Sequence, residues 1–420
     1  MKRTLGVLAL ISSFSLYPFA VPRQQQASEP LNEQARALAA RPDVTTAFAH
    51  IDRTRDETLR EWIAITEINA PSGKERERAA YIEKLLRGYR GLDVRYDSAG
   101  NLIAVRRGTG GGPVVVVDAH LDTVFQEGLK IKATVRDGKV YAPGIGDDTR
   151  NIEAMLASIR ALDHARIKTK GDIVFLFSVE EENTMRGAET FVKENRDRIN
   201  HYIALDGGFQ GFTYGGIGIN WYRHHMIGRG GHTRSATPPY SATLPLARAV
   251  SRIYELPVSS DPPTHVNIGM LGGAEVVNAK AADAWFTVDL RSTSNEMIAD
   301  MEKKIAMILQ EEATRAGMTV KTDLISTSPA AQIPGHRNSH LVLMAEAVHV
   351  ALGFENPPIT LTGSNNASAA LLAGVPAIST GAGPCGDSHA LTEWCEIEPL
   401  YKGIKKVLLL QLALAQVSPS

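Results

Sequence analysis

Neither sign of charge predominates in this chain. Its 420 residues carry 45 lysines and arginines against 46 aspartates and glutamates, a net charge of −1. Basic residues are scattered, with nothing longer than doublets such as Arg106-Arg107, so nothing points to nucleic acid or an anionic membrane as a partner. Cysteine is nearly absent, at two residues, Cys385 and Cys395. An oxidising compartment would permit one bridge between them, but spacing leaves the pairing open, because a bridge needs matched Cβ geometry. There are no internal repeats and no low-complexity tract. The N-terminal apolar run, Leu5 to Ala20, is short for a membrane span and contains Pro18. Lys2 and Arg3 ahead of it give the layout of a secretory signal peptide. We expect residues 1–20 to be a signal, the protein to be secreted or periplasmic, and no stable membrane association after cleavage.

What remains has the apolar content of 44% and charged content of 22% of an ordinary globular protein, and a length that suits two domains. Residues 21–29 read as a polar linker. Helical patterning then runs to Arg87, interrupted at Ala70-Pro71-Ser72-Gly73, where Ser72 and Glu75 have the spacing of a capping box. Strands alternate with helices from Val94 onward. Val114–Val117, Ile173–Phe177, Tyr202–Leu205 and Ala377–Thr380 are expected strands, and Asn151–Leu162 is an expected helix, which argues for an α/β domain with a largely parallel sheet. Between residues 217 and 326 the order becomes strand, helix, strand, strand, helix, strand (Ile219–Ile227, Leu244–Tyr254, His265–Leu271, Ala284–Leu290, Asn295–Ala316, Thr319–Ile325). That is the ferredoxin-like β-α-β-β-α-β arrangement. It divides an α/β domain into residues 30–216 and 327–420, with a second domain inserted at 217–326.

Acids and imidazoles fall where these strands end. Val114–Val117 leads into Asp118-Ala119-His120-Leu121-Asp122, Ile173–Phe177 into Glu180-Glu181-Glu182, Tyr202–Leu205 into Asp206, and Ala377–Thr380 into a loop with Asp387-Ser388-His389. Asp147-Asp148 sits in a glycine-rich loop before the Asn151 helix. Open α/β sheets bind ligands beyond the carboxyl ends of their strands. Any one of these groups reads as surface decoration. Five segments delivering like charges to one rim call for cations to neutralise them. Histidine and carboxylate donors without cysteine suit Zn²⁺, with Co²⁺ or Mn²⁺ as substitutes, and the donor number suits two ions sharing one carboxylate.

The chain resembles the two-zinc metallopeptidases that include glutamate carboxypeptidase, peptidase T, aminoacylase and succinyl-diaminopimelate desuccinylase. The resemblance rests on His120-Leu121-Asp122-Thr123-Val124, Gly144-Ile145-Gly146-Asp147-Asp148, Glu181-Glu182 with Gly187-Ala188, Asp206 and His389. It implies a zinc-peptidase-like three-layer α/β/α catalytic domain with an inserted lid that mediates homodimerisation. It also implies that Asp147 bridges two metals, that His120 and Asp206 complete one site, and that Glu182 and His389 complete the other. Asp122 would orient His120, and Glu181 would be the general base that draws a proton from a metal-bound water. His232 in Gly228-Arg229-Gly230-Gly231-His232 is similar to a lid histidine that reaches the partner's site to stabilise an oxyanion. Asn278 and Arg291 resemble the pair that holds the substrate backbone and its carboxylate.

The sequence departs from that family at Thr149-Arg150-Asn151, at Thr184 and at Asn365, which bears on specificity. Aspartate at position 206 accompanies aminopeptidase and di- or tripeptidase action in the family. The expected function is therefore an exopeptidase on short peptides. A carboxypeptidase or N-acyl-amino-acid deacylase is the alternative, and a non-catalytic peptide-binding protein of the same fold a remote one.

Overall fold

The computed structural model describes residues 28–234 and 240–418. The expected signal, 1–20, and almost all of the expected linker lie outside the described residues. Glu29, assigned to that linker, is already helical, with Pro30 in the first turn where its missing N–H breaks no bond. Among the described residues no helix is long and apolar enough to cross a membrane.

Four helices, Glu29–Ala39, Pro42–Arg53, Arg55–Thr66 and Arg76–Leu86, precede the first strand. The capping box expected at Ser72 does not form. The helix begins only at Arg76, and Ser72 Oγ donates instead to Asp122 Oδ2 at 2.6 Å. The Glu75 carboxylate accepts from the N–H groups of Gly73 and Glu180 at 2.8 and 3.1 Å. Both side chains with cap chemistry therefore tie loops together at the edge of the main sheet.

That sheet has eight strands in the order Leu92–Tyr96, Leu102–Arg106, Ile173–Ser178, Val115–His120, His201–Ala204, Ala377–Ser379, Phe212–Thr213 and Ile359–Thr360. The four central strands are mutually parallel, as their β-branched runs imply. Alternation along Val115–His120 separates two cores. Val115, Val117 and Ala119 join the cluster that includes the helix Arg150–His164, while Val116 joins the cluster on the opposite face. Helices on both faces make three layers. The central strand runs three residues past the expected Val117 end. Asp118 stays inside it because Ser178 Oγ, Tyr202 OH and Asn366 Nδ2 donate to its carboxylate at 2.6, 2.7 and 2.9 Å, which meets the cost of burying a polar group.

The last helix, Glu398–Ala415, underpins the loops after the central strands. Lys406 is fully buried, and its Nζ donates to Phe209 O, Thr380 Oγ1 and Gly381 O, each at 2.8 Å. One turn earlier the helix backbone lies against Ala382, so close that a Cβ at Gly403 would overlap the Ala382 carbonyl oxygen. A four-stranded sheet of Cys385–Gly386, Trp394–Glu396, Lys139–Tyr141 and Thr134–Arg136 flanks this region. Its strands of two and three residues show no pattern in the sequence.

The second domain has its own sheet, in the order Thr264–Asn267, Asp283–Ser292, Gly218–Ile227, Thr319–Ser328, all antiparallel. The helices Thr243–Tyr254 and Asn295–Ala316 pack with it, and among the described residues its core is formed by that segment, from Met226 to Val320. This is the ferredoxin-like order. The single strand expected at His265–Leu271 is two, Thr264–Asn267 and Leu271–Gly273, both paired with Asp283–Ser292. Chain entry and exit lie side by side, with Gly216 and Ala331 exchanging backbone hydrogen bonds at 2.7 and 3.0 Å.

Gly403→Ala is expected to lower stability by about 1–3 kcal/mol, as overpacking against a fixed backbone does. Urea unfolding of the variant beside the parent measures it, and an unchanged midpoint would contradict the close packing described.

Candidate metal centre and active site

Five loops at the carboxyl edge of the parallel strands converge. His120 is the last residue of its strand and is buried. Its Nε2 lies 3.0 Å from Asp147 Oδ1, while Asp147 Oδ2 lies 3.2 Å from His389 Nε2, so one carboxylate spans two imidazoles. His389 Nε2 is also 3.3 Å from Glu182 Oε2. Ligand atoms of His120, Asp147 and Glu182 all lie within 4.8 Å of one another, close enough to hold one metal ion. Asp206 is half-buried and lines, with Asp147 and Arg150, a cavity of about 490 Å³ that also reaches Ser388.

Asp122 organises the rim from beneath. It is fully buried, and its Oδ1 and Oδ2 accept from the backbone N–H groups of Glu181 and Glu182 at 2.9 and 3.1 Å. Its Oδ1 also lies 3.3 Å from His120 Nδ1, with the Asp122 carbonyl oxygen 3.1 Å from the same nitrogen. A proton on Nδ1 leaves Nε2 free to face Asp147 as a donor of electrons, the tautomer a metal ligand needs. The three glutamates separate by register. Glu180 turns outward through a left-handed backbone (φ 57°) to an ion pair with Arg186 at 2.5 Å, whereas Glu181 and Glu182 are half-buried toward the cluster.

Burial and mutual repulsion of the acids set the electrostatics of the site. Burial pushes the Glu181 carboxyl well above its ordinary value; His120 opposes this, and Asp206, Glu182 and Asp147 reinforce it. Burial, with Asp147 adding to it, raises Glu182 to about 7 and Asp206 to about 6. Burial acts the same way on Asp147, but hydrogen bonds to His120 and His389 outweigh it and hold that carboxyl far below its usual range. The hydrogen bond to Asp147 raises His389 to about 9, against the effect of burial. Among the described residues, Glu182 Oε1 is buried without a hydrogen-bond partner. Imidazole nitrogens, crowded carboxylates and an orphaned carboxylate oxygen together fit divalent cations.

The lid candidates lie apart from this cluster. His232 pairs with Ala279 in a two-residue ladder, and Thr233 N donates to the carbonyl of the exposed Asn278 at 3.0 Å. Arg291 donates through Nε to both oxygens of Asp289, at 3.0 and 3.1 Å. Among the described residues none of the three is hydrogen-bonded to the cluster. His224 and His225, without motif support, bond inside the lid sheet, to Thr322 and to Asp283.

Several supporting residues escaped the sequence reading. Glu393 is fully buried and accepts from the N–H groups of Gly144, Gly146 and Asp147 at 2.6, 2.9 and 2.8 Å. Its signal, a glutamate four residues after His389, is plain only once the site is known. Arg150 donates to the carbonyl oxygens of Gly207 and Gly383. Asn151 donates to Asp148 Oδ1 and accepts from Ala382 N. The departures at Arg150 and Asn151 are thus built into the loops that carry Asp147, Asp206 and His389. Cys385 and Cys395 form a disulfide.

Comparison with known proteins agrees with this geometry. Residues 116–412 match the family described as Peptidase family M20/M25/M40. Carboxypeptidase G2 of Pseudomonas sp. (strain RS-16) is 26% identical over 32% of this chain, a stretch spanning 34% of that protein. The uncharacterised protein YqjE of Bacillus subtilis (strain 168) is 22% identical over 83% of this chain and 96% of its own. A tripeptidase structure from Staphylococcus aureus superposes with a TM-score of 0.77 at 23% identity, covering 86% of this chain and 99% of that one. The chain is a member of peptidase family M20/M25/M40, a hydrolase of peptide or amide bonds in a metal-dependent family.

Proposed function

We propose that the protein is a two-metal exopeptidase for short peptides, an aminopeptidase or di/tripeptidase, with Glu181 as general base. The observation that carries this is the Asp147 carboxylate, which presents one oxygen to His120 and the other to His389. On this reading Asp147 would be shared between two cations, His120 and Asp206 would hold one, and Glu182 and His389 the other. Zinc is the expected ion. Bound cations would lower the pKa of water toward 7 and polarise the scissile carbonyl.

The chain's own residues then move the proton. Glu181 stands beside Glu182, held by the Asp122 clamp on its backbone N–H. Burial raises its proton affinity, as a base that must both take a proton from water and return it to the leaving amine requires. Asp122, engaged with both Glu181 N and His120 Nδ1, keeps the base and the imidazole in register. Asp206 favours the aminopeptidase side of the family. The similarity to carboxypeptidase G2 favours the second reading, a carboxypeptidase or deacylase.

The inserted domain supports a homodimer. Met270, Leu271, Val276 and Val277 are all more than half exposed and lie close together in sequence, around the short strand Leu271–Gly273 and just before Asn278. A second copy covering them would bring His232 and Asn278 near a substrate, with Arg291 available for its carboxylate.

Three outcomes are expected. Free di- and tripeptides should be cleaved in a chelator-sensitive manner, N-blocked dipeptides and N-acetyl amino acids should not, and Glu181→Gln should lower kcat by about 10²–10⁴-fold with metal content unchanged. Preference for the N-blocked compounds would move the assignment to the second reading, and silence across the panel would sink both. Metal uptake should release protons. His389 is protonated below about 9 and Glu182 below about 7 in the metal-free protein, so cations must displace those protons, and affinity must rise from pH 6 to pH 8. Calorimetry in buffers of different ionisation heat reads this directly; a pH-independent affinity would refute it. Sedimentation equilibrium should give twice the monomer mass, and Leu271→Asp with Val277→Asp should return the monomer. A wild-type monomer at micromolar concentration would remove the dimer.

A further inference from the structure

The loop between the two cysteines holds the metal-bridging segment from two sides. Cys385 and Cys395 face each other across the antiparallel strands Cys385–Gly386 and Trp394–Glu396, ten residues apart in sequence. Inside the closed loop, His389 reaches the side chain of Asp147, at 3.2 Å from Oδ2. Four residues later Glu393 reaches its backbone. Oε1 accepts from the N–H groups of Gly146 and Asp147, and Oε2 accepts from Gly144. The bridge itself packs on the same segment: a Cβ at Gly146 would lie 2.8 Å from Glu393 Oε1 and 2.9 Å from both Cys385 Cβ and Cys395 Sγ.

The loop needs such support. Asp387 and His389 both adopt left-handed backbone, with φ of 58° and 66°, a conformation that costs free energy for residues other than glycine and persists only when the surroundings enforce it. The His389 side chain is 54% exposed, so packing alone does not hold it. The loop's own hydrogen bonds are few. Ala390 N donates to Asp387 O, Glu393 N to Ala390 O, and Thr392 Oγ1 to Asp387 Oδ2 at 3.3 Å. A covalent closure restricts the alternatives such a loop would otherwise sample.

We propose that Glu393 is a positioning residue for Asp147, and that the Cys385–Cys395 loop is a clasp that joins His389 to the Gly144–Asp147 segment and thereby sets the affinity of the metal centre. The clasp touches no substrate. Its effect is to present the Asp147 carboxylate and the His389 imidazole at a fixed mutual spacing before a cation arrives, so the ordering is not drawn from the binding free energy. A carboxylate is suited to this because it accepts three N–H bonds at once, where an amide of the same shape offers one acceptor oxygen and would set an N–H group against another.

The inference rests on the reading of this cluster as a cation site, and its test keeps the two apart. Zinc binding to the metal-free, oxidised protein is measured by calorimetry for wild type, Glu393→Gln, Glu393→Asp and the double variant Cys385→Ser with Cys395→Ser. Loss of a group that orients metal ligands costs about 10–100-fold in affinity. That loss is expected for Glu393→Gln and for the double variant in at least one of the two binding steps, with Glu393→Asp recovering part of it. The metal-free forms should stay folded at the temperature of the titration, with the double variant and Glu393→Gln melting below wild type because one loses the closed loop and the other a buried acceptor. Wild-type zinc affinity in Glu393→Gln overturns the proposal, as does a loss of affinity matched by loss of the metal-free fold. If the double variant does not fold, Glu393→Gln decides the question alone, because it retains the disulfide. Failure of wild type itself to bind zinc would instead overturn the cation-site reading.

Discussion

Carboxylates crowded together at the end of a buried sheet repel one another, and much of the surrounding structure answers that repulsion. Asp122, Asp147, Asp148, Glu181, Glu182 and Asp206 share one rim, with His120 and His389 as the imidazoles among them. Cation binding relieves the repulsion at the centre, but the acids must first be held at fixed distances. The main chain does most of this. N–H groups converge on Asp122 from one side and on Glu393 from the other, so each buried carboxyl group is held by dipoles that the fold has already oriented. At Glu393 burial still outweighs those hydrogen bonds and raises the carboxyl to about 7.

Buried basic side chains serve the neighbouring loops in a complementary manner. Lys406 and Arg150 donate to carbonyl oxygens of the Gly207–Phe209 and Gly381–Gly383 segments rather than to carboxylates. These glycine-rich stretches carry few side chains of their own with which to pack. Threading a side chain with several N–H donors beneath each one orders the chain between Asp206 and the next strand, and between the last parallel strand and the His389 loop.

Much of this was legible beforehand, for identifiable reasons. Buried parallel strands announce themselves as β-branched runs, and the acids at their ends stand out because nothing else places Asp206 or Glu181 beside an apolar stretch. The ferredoxin-like insertion was legible because its helices are long and periodic; Asn295–Ala316 was read to the residue. Other features depend on pairings that local sequence does not encode. Glu393 and Gly144 are 249 residues apart, and only the fold makes them neighbours. Ser72 has the residue type of a helix cap, and tertiary structure turned it to Asp122 instead. The central strand continues past Val117 because Tyr202 and Asn366 supply donors to Asp118, a compensation invisible in a run that simply turns polar.

The paired connection at Gly216 and Ala331 fixes how the inserted domain can move. Two chain segments that cross side by side and are hydrogen-bonded to each other behave as a single hinge pin rather than as two independent tethers. Motion of the inserted domain relative to the catalytic domain therefore bends both connections together at this one place.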